Sequence, residues 1–267
     1  MQLALNAGSL SLDTREAIAP VHSLGFSAVE LNLQQAELAY GFARTPNLAF
    51  YTDLARELAL RKLTVTDVHA LVLNGAQMFS ARARRDVLAL AGQITQTLGA
   101  GILVLHPTDI LDNEEWLELY SADPRLPLPL VEGMAAVIRE LQRGGVQMAL
   151  ENVQYWEGTR GTNDADLMAR LVEALDCHVA LDVRRGLAHP SLERWVELLG
   201  DRIAVLHLHD TLNGVEHHPP AAPDWKQIVP QLKRTSAQVG VIESSANRNP
   251  GLIKASREYM SKLMQAE

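Results

Sequence analysis

Short, continuous apolar runs alternate along this chain with longer amphipathic segments. The short runs are Leu3–Asn6, Ala28–Leu33, Leu63–His69, Ile102–His106, Val146–Glu151, Val179–Val183, Ile203–His209 and Val239–Glu243. They are rich in Val, Leu and Ile and show no polar face, as expected of parallel strands covered on both sides. The longer segments repeat apolar residues at helical spacing. Val87, Leu88, Ala91, Ile94 and Leu98 form one stripe within Ser80–Leu98, with Arg82, Arg84 and Arg85 outside it and Ser80 as N-cap. Met134, Val137, Ile138 and Leu141 form a second, within Leu130–Leu141. Leu252, Ile253, Ser256, Tyr259, Met260 and Leu263 form a weaker last one. Gly25, Gly99, Gly144, Gly145 and Gly200 stand where a helix must stop before the next strand.

Eight strand-like runs alternating with about eight helical ones predict an α/β fold, a (β/α)8 TIM barrel, as a single domain over residues 1–267. A doubly wound open sheet is the alternative. Its Gly-rich first turn is missing here, where the chain reads Asn6-Ala7-Gly8-Ser9. In a barrel, all strand tips meet at one mouth, and the active site sits there.

What ends the runs is chemistry. From the third strand to the eighth, the tips carry His69, His106, Glu151, Asp182, His207 with His209, and Glu243. A carboxylate or imidazole at the end of a buried strand is costly unless something pairs with it. A divalent metal is the simplest partner for all of them, and a mixed oxygen and nitrogen set suits Mn²⁺, Mg²⁺, Co²⁺ or Zn²⁺. His207 and His209 are two apart and face the same side of their strand. One is expected to be a ligand, the other to meet substrate or a second metal, with Asp210 orienting an imidazole. His69, His106 and His217 are further candidates for a second metal or for substrate. If His69 and His106 both bind metal, Glu151 bridges two ions. Asn152 is read as a hydrogen-bonding support and substrate contact. Arg184 and Arg185 carry the bidentate donors that suit a phosphate or carboxylate, and Arg185 is the substrate-binding candidate.

Two longer connections lie on the mouth side and are expected to make lids or substrate walls. Asp109–Pro129 holds Trp116, Tyr120 and a proline-rich stretch. Asp210–Asp224 holds His217, His218 and the pair Pro219-Pro220. Trp116, Tyr155 and Trp156 are candidates to cover the apolar face of a sugar ring.

Composition narrows the function classes. The 267 residues suffice for one large core. No run approaches the ~18 apolar residues of a membrane span. The chain starts directly on the strand-like Leu3 to Leu5, which gives the expectation of no signal peptide and a cytoplasmic location. The single cysteine, Cys177, precludes an intramolecular disulfide and is assigned a packing role. A net charge of −8 speaks against non-specific nucleic-acid binding. The expected partner is a small sugar-like or phosphorylated molecule, with a homo-oligomer left open.

The segments AVELN, HALVLNGA from His69, LVLHP after LGAG, LEN at Glu151, ALD at Asp182, the HxxD of His207 to Asp210, and VIES at Glu243 come in a specific order and spacing. In these the chain resembles the xylose isomerase-like TIM-barrel superfamily over nearly its whole length. That group includes sugar-phosphate isomerases and epimerases, inosose-processing enzymes and AP endonuclease family 2. The resemblance implies a metal site of Glu151, Asp182, His207 and Glu243, with His207 preferred as the first residue of HxxD. It implies an isomerase or epimerase in which the metal binds adjacent hydroxyl and carbonyl oxygens while Glu151 and Glu243 relay a proton. The alternatives it implies are a two- or three-metal phosphoesterase using His69 and His106 as well, and a dehydratase. A barrel that binds without catalysing is disfavoured, because all four ligand positions are filled. Two departures weaken the three-metal reading. Arg185 stands where many members have the histidine of DxxH. The segment HHPPAAPDW lacks the glycines of a GxG-type turn, although Asp224 and Trp225 still resemble the end of that motif.

Overall fold

The computed structural model describes residues 1–11, 13–33, 48–70, 81–107, 129–153, 163–188 and 191–266. Ser80, Trp116, Tyr120, Tyr155 and Trp156 lie outside the described residues, as do the side chains of Arg82, Arg84, Arg85, Val87 and Met134.

The strands are β1 (Gln2–Asn6), β2 (Ala28–Asn32), β3 (Thr64–His69), β4 (Ile102–Leu105), β5 (Gln147–Glu151), β6 (His178–Asp182), β7 (Ile203–Leu208), β8 (Asp210–Leu212), β9 (Val215–His218) and β10 (Val239–Ile242). Eight of them form a closed parallel barrel in the order β1-β10-β7-β6-β5-β4-β3-β2. The seam closes where β1 pairs with β10, Ala4 opposite Val241. The helices are α1 (Thr14–Ile18), α2 (Leu48–Leu60), α3 (Ala81–Thr97), α4 (Pro129–Arg143), α5 (Ala165–Leu175), α6 (Val183–Ala188), α7 (Leu192–Leu199), α8 (Trp225–Leu232) and α9 (Pro250–Gln265). Among the described residues no helix is long and apolar enough to cross a membrane.

All eight expected strands are present, and the stripes seen in the sequence fall on α3, α4 and α9. Asn249 starts α9 by accepting from the amides of Gly251 and Leu252, with Pro250 in the first turn. Gly99 and Gly145 follow α3 and α4 with φ of 73° and 85°, the left-handed geometry of a helix stop. Gly200 differs: it is right-handed, and α7 runs on into a short 3-10 turn.

The connection after β7 is not a plain loop. β8 and β9 pair as an antiparallel hairpin. Its two-residue turn is Asn213-Gly214, with φ of 54° and 77°. Both turn residues must be left-handed for the strands to keep their twist, which is why Asn-Gly suits it.

Alternation along each strand sorts the side chains by layer. One set faces the helices: Leu5, Val29, Val68, Leu103, Leu150, Leu181, Leu206 and Ile242 belong to the main core. The intervening set fills the lower barrel with mostly small residues: Ala4, Ala28, Val104, Ala149, Ala180, Val205, Val239 and Val241. Two residues further along, the same inward face carries Asn6, Glu30, His106, Glu151, Asp182, His207 and Glu243. The strand period thus puts an apolar floor under a polar mouth. Cys177 is buried, and burial pushes its thiol up to about 12, in keeping with its packing role.

Candidate active site

Glu151, at the tip of β5, is the centre of the mouth. Its Oε2 lies 3.1 Å from His69 Nε2 and 3.0 Å from His106 Nε2. Its Oε1 lies 3.2 Å from His207 Nδ1 and 3.1 Å from Arg185 Nη1. His207 spans the mouth, with Nε2 3.0 Å from Glu30 Oε2 and Nδ1 3.8 Å from Glu243 Oε2. Asp182 sits to one side. His209 Nε2 lies 3.1 and 3.0 Å from its two oxygens, and Arg185 approaches through Nε at 3.1 Å and its backbone N–H at 3.0 Å. His217 Nε2 is 3.8 Å from Glu243 Oε2, and its backbone N–H is 3.2 Å from His209 Nδ1.

The charges shift one another. Burial works against the ionised form of Glu151, yet the imidazoles of His207, His69 and His106 hold its carboxyl well below the usual range. Burial likewise opposes the charged form of His207, but Glu243, Glu30 and Glu151 raise its imidazole well above its ordinary value. His209 is raised by Asp182 in the same way, again against burial.

Among the described residues, three sets of donor atoms are grouped closely enough for an ion, each set lying within 4.8 Å of one another: Glu30, His69, His207 and Glu243; Asp182, His209, His217 and Glu243; and His69, His106 and Glu151. Several of these buried atoms have no hydrogen-bond partner among the described residues: both ring nitrogens of His69, His207 Nδ1 and Glu243 Oε2. A buried polar atom without a partner is costly, and a divalent cation would be a shared partner for one nitrogen of His69 together with His207 and Glu243. The donor chemistry therefore fits a metal such as Mn²⁺ or Zn²⁺.

Residues 18–263 match the family model of the xylose isomerase-like TIM barrel. The chain belongs to this family. No curated protein matches the sequence. Solved structures share the fold at low identity. An L-ribulose 3-epimerase is 13% identical with a TM-score of 0.73, over 99% of this chain and 95% of that one. The IOLI protein with a binding zinc atom is 16% identical with a TM-score of 0.69, over 99% and 98%. An AP endonuclease, family 2, from Brucella melitensis is 14% identical with a TM-score of 0.70, over 98% of each chain.

In this xylose isomerase-like barrel, the residues singled out in the sequence gather at one mouth, but in subgroups. Glu151, His207 and Glu243 adjoin, whereas Asp182 sits with His209 and His217, and Glu243 belongs to both neighbourhoods. Asn152 is fully buried and laces β5 to β6: its Oδ1 accepts from the Asp182 N–H at 2.6 Å, and its Nδ2 donates to Asp182 O and Asn163 Oδ1, each at 3.1 Å. It fixes the backbone from which Asp182 projects.

Asp210 does something other than expected, and Arg184 is its ion-pair partner. The Asp210 carboxylate does not orient an imidazole. It accepts from Trp225 Nε1 at 2.8 Å and from the amides of Ala221 and Ala222 at 2.7 and 2.8 Å, and it pairs with Arg184. Arg184 also bonds Asp224 and lies 4.7 Å over the Trp225 ring. This cluster fastens the hairpin and α8 to α6, so Arg184 is structural. Arg185 alone of the two reaches the mouth.

Three inward residues escaped the sequence reading: Asn6, Glu30 and Asp67. Asn6 Nδ2 donates to Glu30 and, at 3.2 Å, to Glu243 Oε1. Burial, and then the charge of Glu30, push the Asp67 carboxyl well above the usual range, which favours its protonated form. In that form Asp67 would give Glu30 a donor. The signal for Glu30 was a lone carboxylate inside AVELN, but it lies mid-strand, where a search of strand tips does not look.

Metal loading is expected to release protons. His207 and His209 hold protons more tightly than free imidazole, and a ligand nitrogen must give its proton up. Affinity for Mn²⁺ should therefore fall as pH drops, because protons compete for the raised sites. Calorimetric titration in two buffers of different ionisation enthalpy measures the proton count, and zero release would contradict the assigned charge state.

Proposed function

We propose that this protein is a divalent-metal-dependent epimerase or isomerase of a sugar or sugar-like small molecule, whose ion draws together Glu151, His207 and Glu243, which already adjoin, and Asp182, which shares a donor set with Glu243. One observation carries the reading: two carboxylates from separate strands, Glu151 at 3.2 Å and Glu243 at 3.8 Å, flank the same nitrogen of His207. A divalent ion held among them would polarise a substrate carbonyl and make the neighbouring C–H more acidic. Glu151, kept ionised by the surrounding imidazoles, is suited to take that proton, and Glu243 to return one from its own side. Arg185 stays charged beside them and is the group to hold a substrate oxygen. His209 steadies Asp182. The fold shared with an L-ribulose 3-epimerase supports the choice of substrate class.

A two-metal phosphoesterase is the second reading, favoured by the further donor set of His69, His106 and Glu151. Dehydration of a related substrate is also within reach of the same scaffold.

The test is solvent exchange. Mn²⁺-loaded protein is incubated in D₂O with a panel of ketoses and their phosphates. The expected result is deuterium at the carbon next to the carbonyl in substrate or product, and its loss on chelation. No exchange with any of the panel, together with hydrolysis of bis(p-nitrophenyl) phosphate, would replace the first reading with the second.

A further inference from the structure

Glu30 is a carboxylate that the reaction assigned above does not use. It is fully buried in the middle of β2, and Asp67, its register partner on β3, is fully buried beside it. Burying a carboxylate is costly, so its partners matter. One of them lies across the barrel interior. Glu30 Oε2 is 3.0 Å from His207 Nε2, over 177 positions of sequence, and β1 and β10 separate the two strands in the ring.

Both oxygens of Glu30 have partners: Oε1 accepts from Asn6 Nδ2, and Oε2 meets His207 Nε2. The other nitrogen of that ring, Nδ1, has no hydrogen-bond partner among the described residues. It lies 3.2 Å from Glu151 Oε1 and 3.8 Å from Glu243 Oε2. The two ends of the imidazole thus differ. One is closed by a matched carboxylate, and the other opens on the carboxylates of the mouth.

A carboxylate oxygen accepts, so Nε2 carries the hydrogen of this contact. In a neutral imidazole the lone pair is then left on Nδ1. The opposite tautomer would set a lone pair against Glu30 and a hydrogen on the side of Glu151 and Glu243. Glu30 also belongs to one of the donor sets described above, with His69, His207 and Glu243. Its own oxygens are matched, whereas the ring nitrogens of His69, His207 Nδ1 and Glu243 Oε2 are not, so the need for a cation lies on the Nδ1 side.

We propose that Glu30 is a positioning residue: it holds the Nε2–H of His207 and thereby makes Nδ1 the nitrogen that binds the ion. A carboxylate placed in this way orients a histidine ligand and strengthens it as a donor. Asn6 extends the arrangement. It donates to Glu30 and, at 3.2 Å, to Glu243 Oε1, so the same carboxylate is tied to a second ligand just beyond β10. The proposal rests on His207 as a metal ligand and holds for either reaction considered above.

Cadmium, as ¹¹³Cd²⁺, is a suitable probe because its nuclear spin couples to the nitrogen that binds it. The full chain, labelled with ¹⁵N in its histidines, is loaded with it, and His207 is assigned by the loss of its signals in His207→Gln. The expected result is cadmium coupling at Nδ1 and a proton on Nε2 that exchanges slowly with water. Glu30→Leu, apolar and close in size, should lose that slow exchange and weaken Mn²⁺ binding about ten- to a hundredfold, with a thermal melt confirming a folded barrel. Coupling at Nε2 would overturn the proposal, as would Mn²⁺ affinity in Glu30→Leu within about twofold of the unaltered chain. No coupling at either nitrogen would remove His207 from the ion and the proposal with it. Coupling at Nδ1, without exchange of any sugar proton into D₂O, would support Glu30 in this role and overturn the reaction alone. Should Glu30→Leu misfold, the coupled nitrogen and the Nε2 proton of the unaltered chain decide the matter.

Discussion

Replacing Glu243 by glutamine leaves the barrel folded and strips it of bound metal. The side chain keeps its shape and an oxygen, but the charge is lost and an amide NH₂ can occupy the place of Oε2, the buried atom that has no hydrogen-bond partner among the described residues. Glu243 also leads the carboxylates that raise His207, so the neighbouring imidazole loses its strongest opposite charge. Metal content by elemental analysis should fall from about one ion per chain to below about a tenth, and exchange into D₂O by about 10²–10⁴-fold, the scale of a lost acid–base group. A thermal melt guards against unfolding. Full metal with lost exchange would confine Glu243 to proton transfer. Full metal with full exchange would remove it from the site.

Arg185→Ala is expected to do the opposite, keeping the metal and losing the substrate. The guanidinium donates to Glu151 Oε1 at 3.1 Å and approaches Asp182 Oδ2 at 3.1 Å, so it competes with an ion for the same oxygens. Its removal relieves that competition, and Mn²⁺ should bind at least as tightly. Charged neighbours raise its pKa against the pull of burial, so it is a cation at every working pH. Losing one charge-assisted contact of about 1.5–3 kcal/mol raises KM roughly ten- to hundredfold. Steady-state kinetics beside metal analysis separates the two effects. If metal is lost with the side chain, Arg185 serves to hold the carboxylates in place and not the substrate.

The barrel was legible because strands covered on both faces become continuous Val, Leu and Ile runs, too short for helices and too apolar for loops. The hairpin was not, since Asp210–Leu212 and Val215–His218 are short and offer one apolar pair, Leu212 opposite Val215, too little for an alternating pattern; only Asn213-Gly214 announces it. At the site, strand tips identified every histidine that lies beside Glu151, but not their partners. His207 is the register partner of Asp182, yet it is His209 whose ring reaches the Asp182 carboxylate. Which side chain meets which depends on barrel tilt and on the hairpin's grip, through the His217 N–H, on His209. Glu30 and Asp67 were missed for a related reason: a carboxylate in mid-strand looks like an interruption until the ring closes around it. Asp210 was misread because its partners, Trp225 and Arg184, are fifteen and twenty-six positions away.

The seam between the first and last strands also sets when the centre can exist. Asn6 joins Glu243 across 237 positions of sequence. During synthesis Glu30, His69 and Glu151 appear early, as an open crescent with no far wall. Contacts this distant in sequence are slow to form, because the loop they close must be ordered first. An ion held through Glu243 would thus await the finished ring and not nucleate it, so metal starvation should lower the activity of newly made protein without lowering its yield of folded barrels.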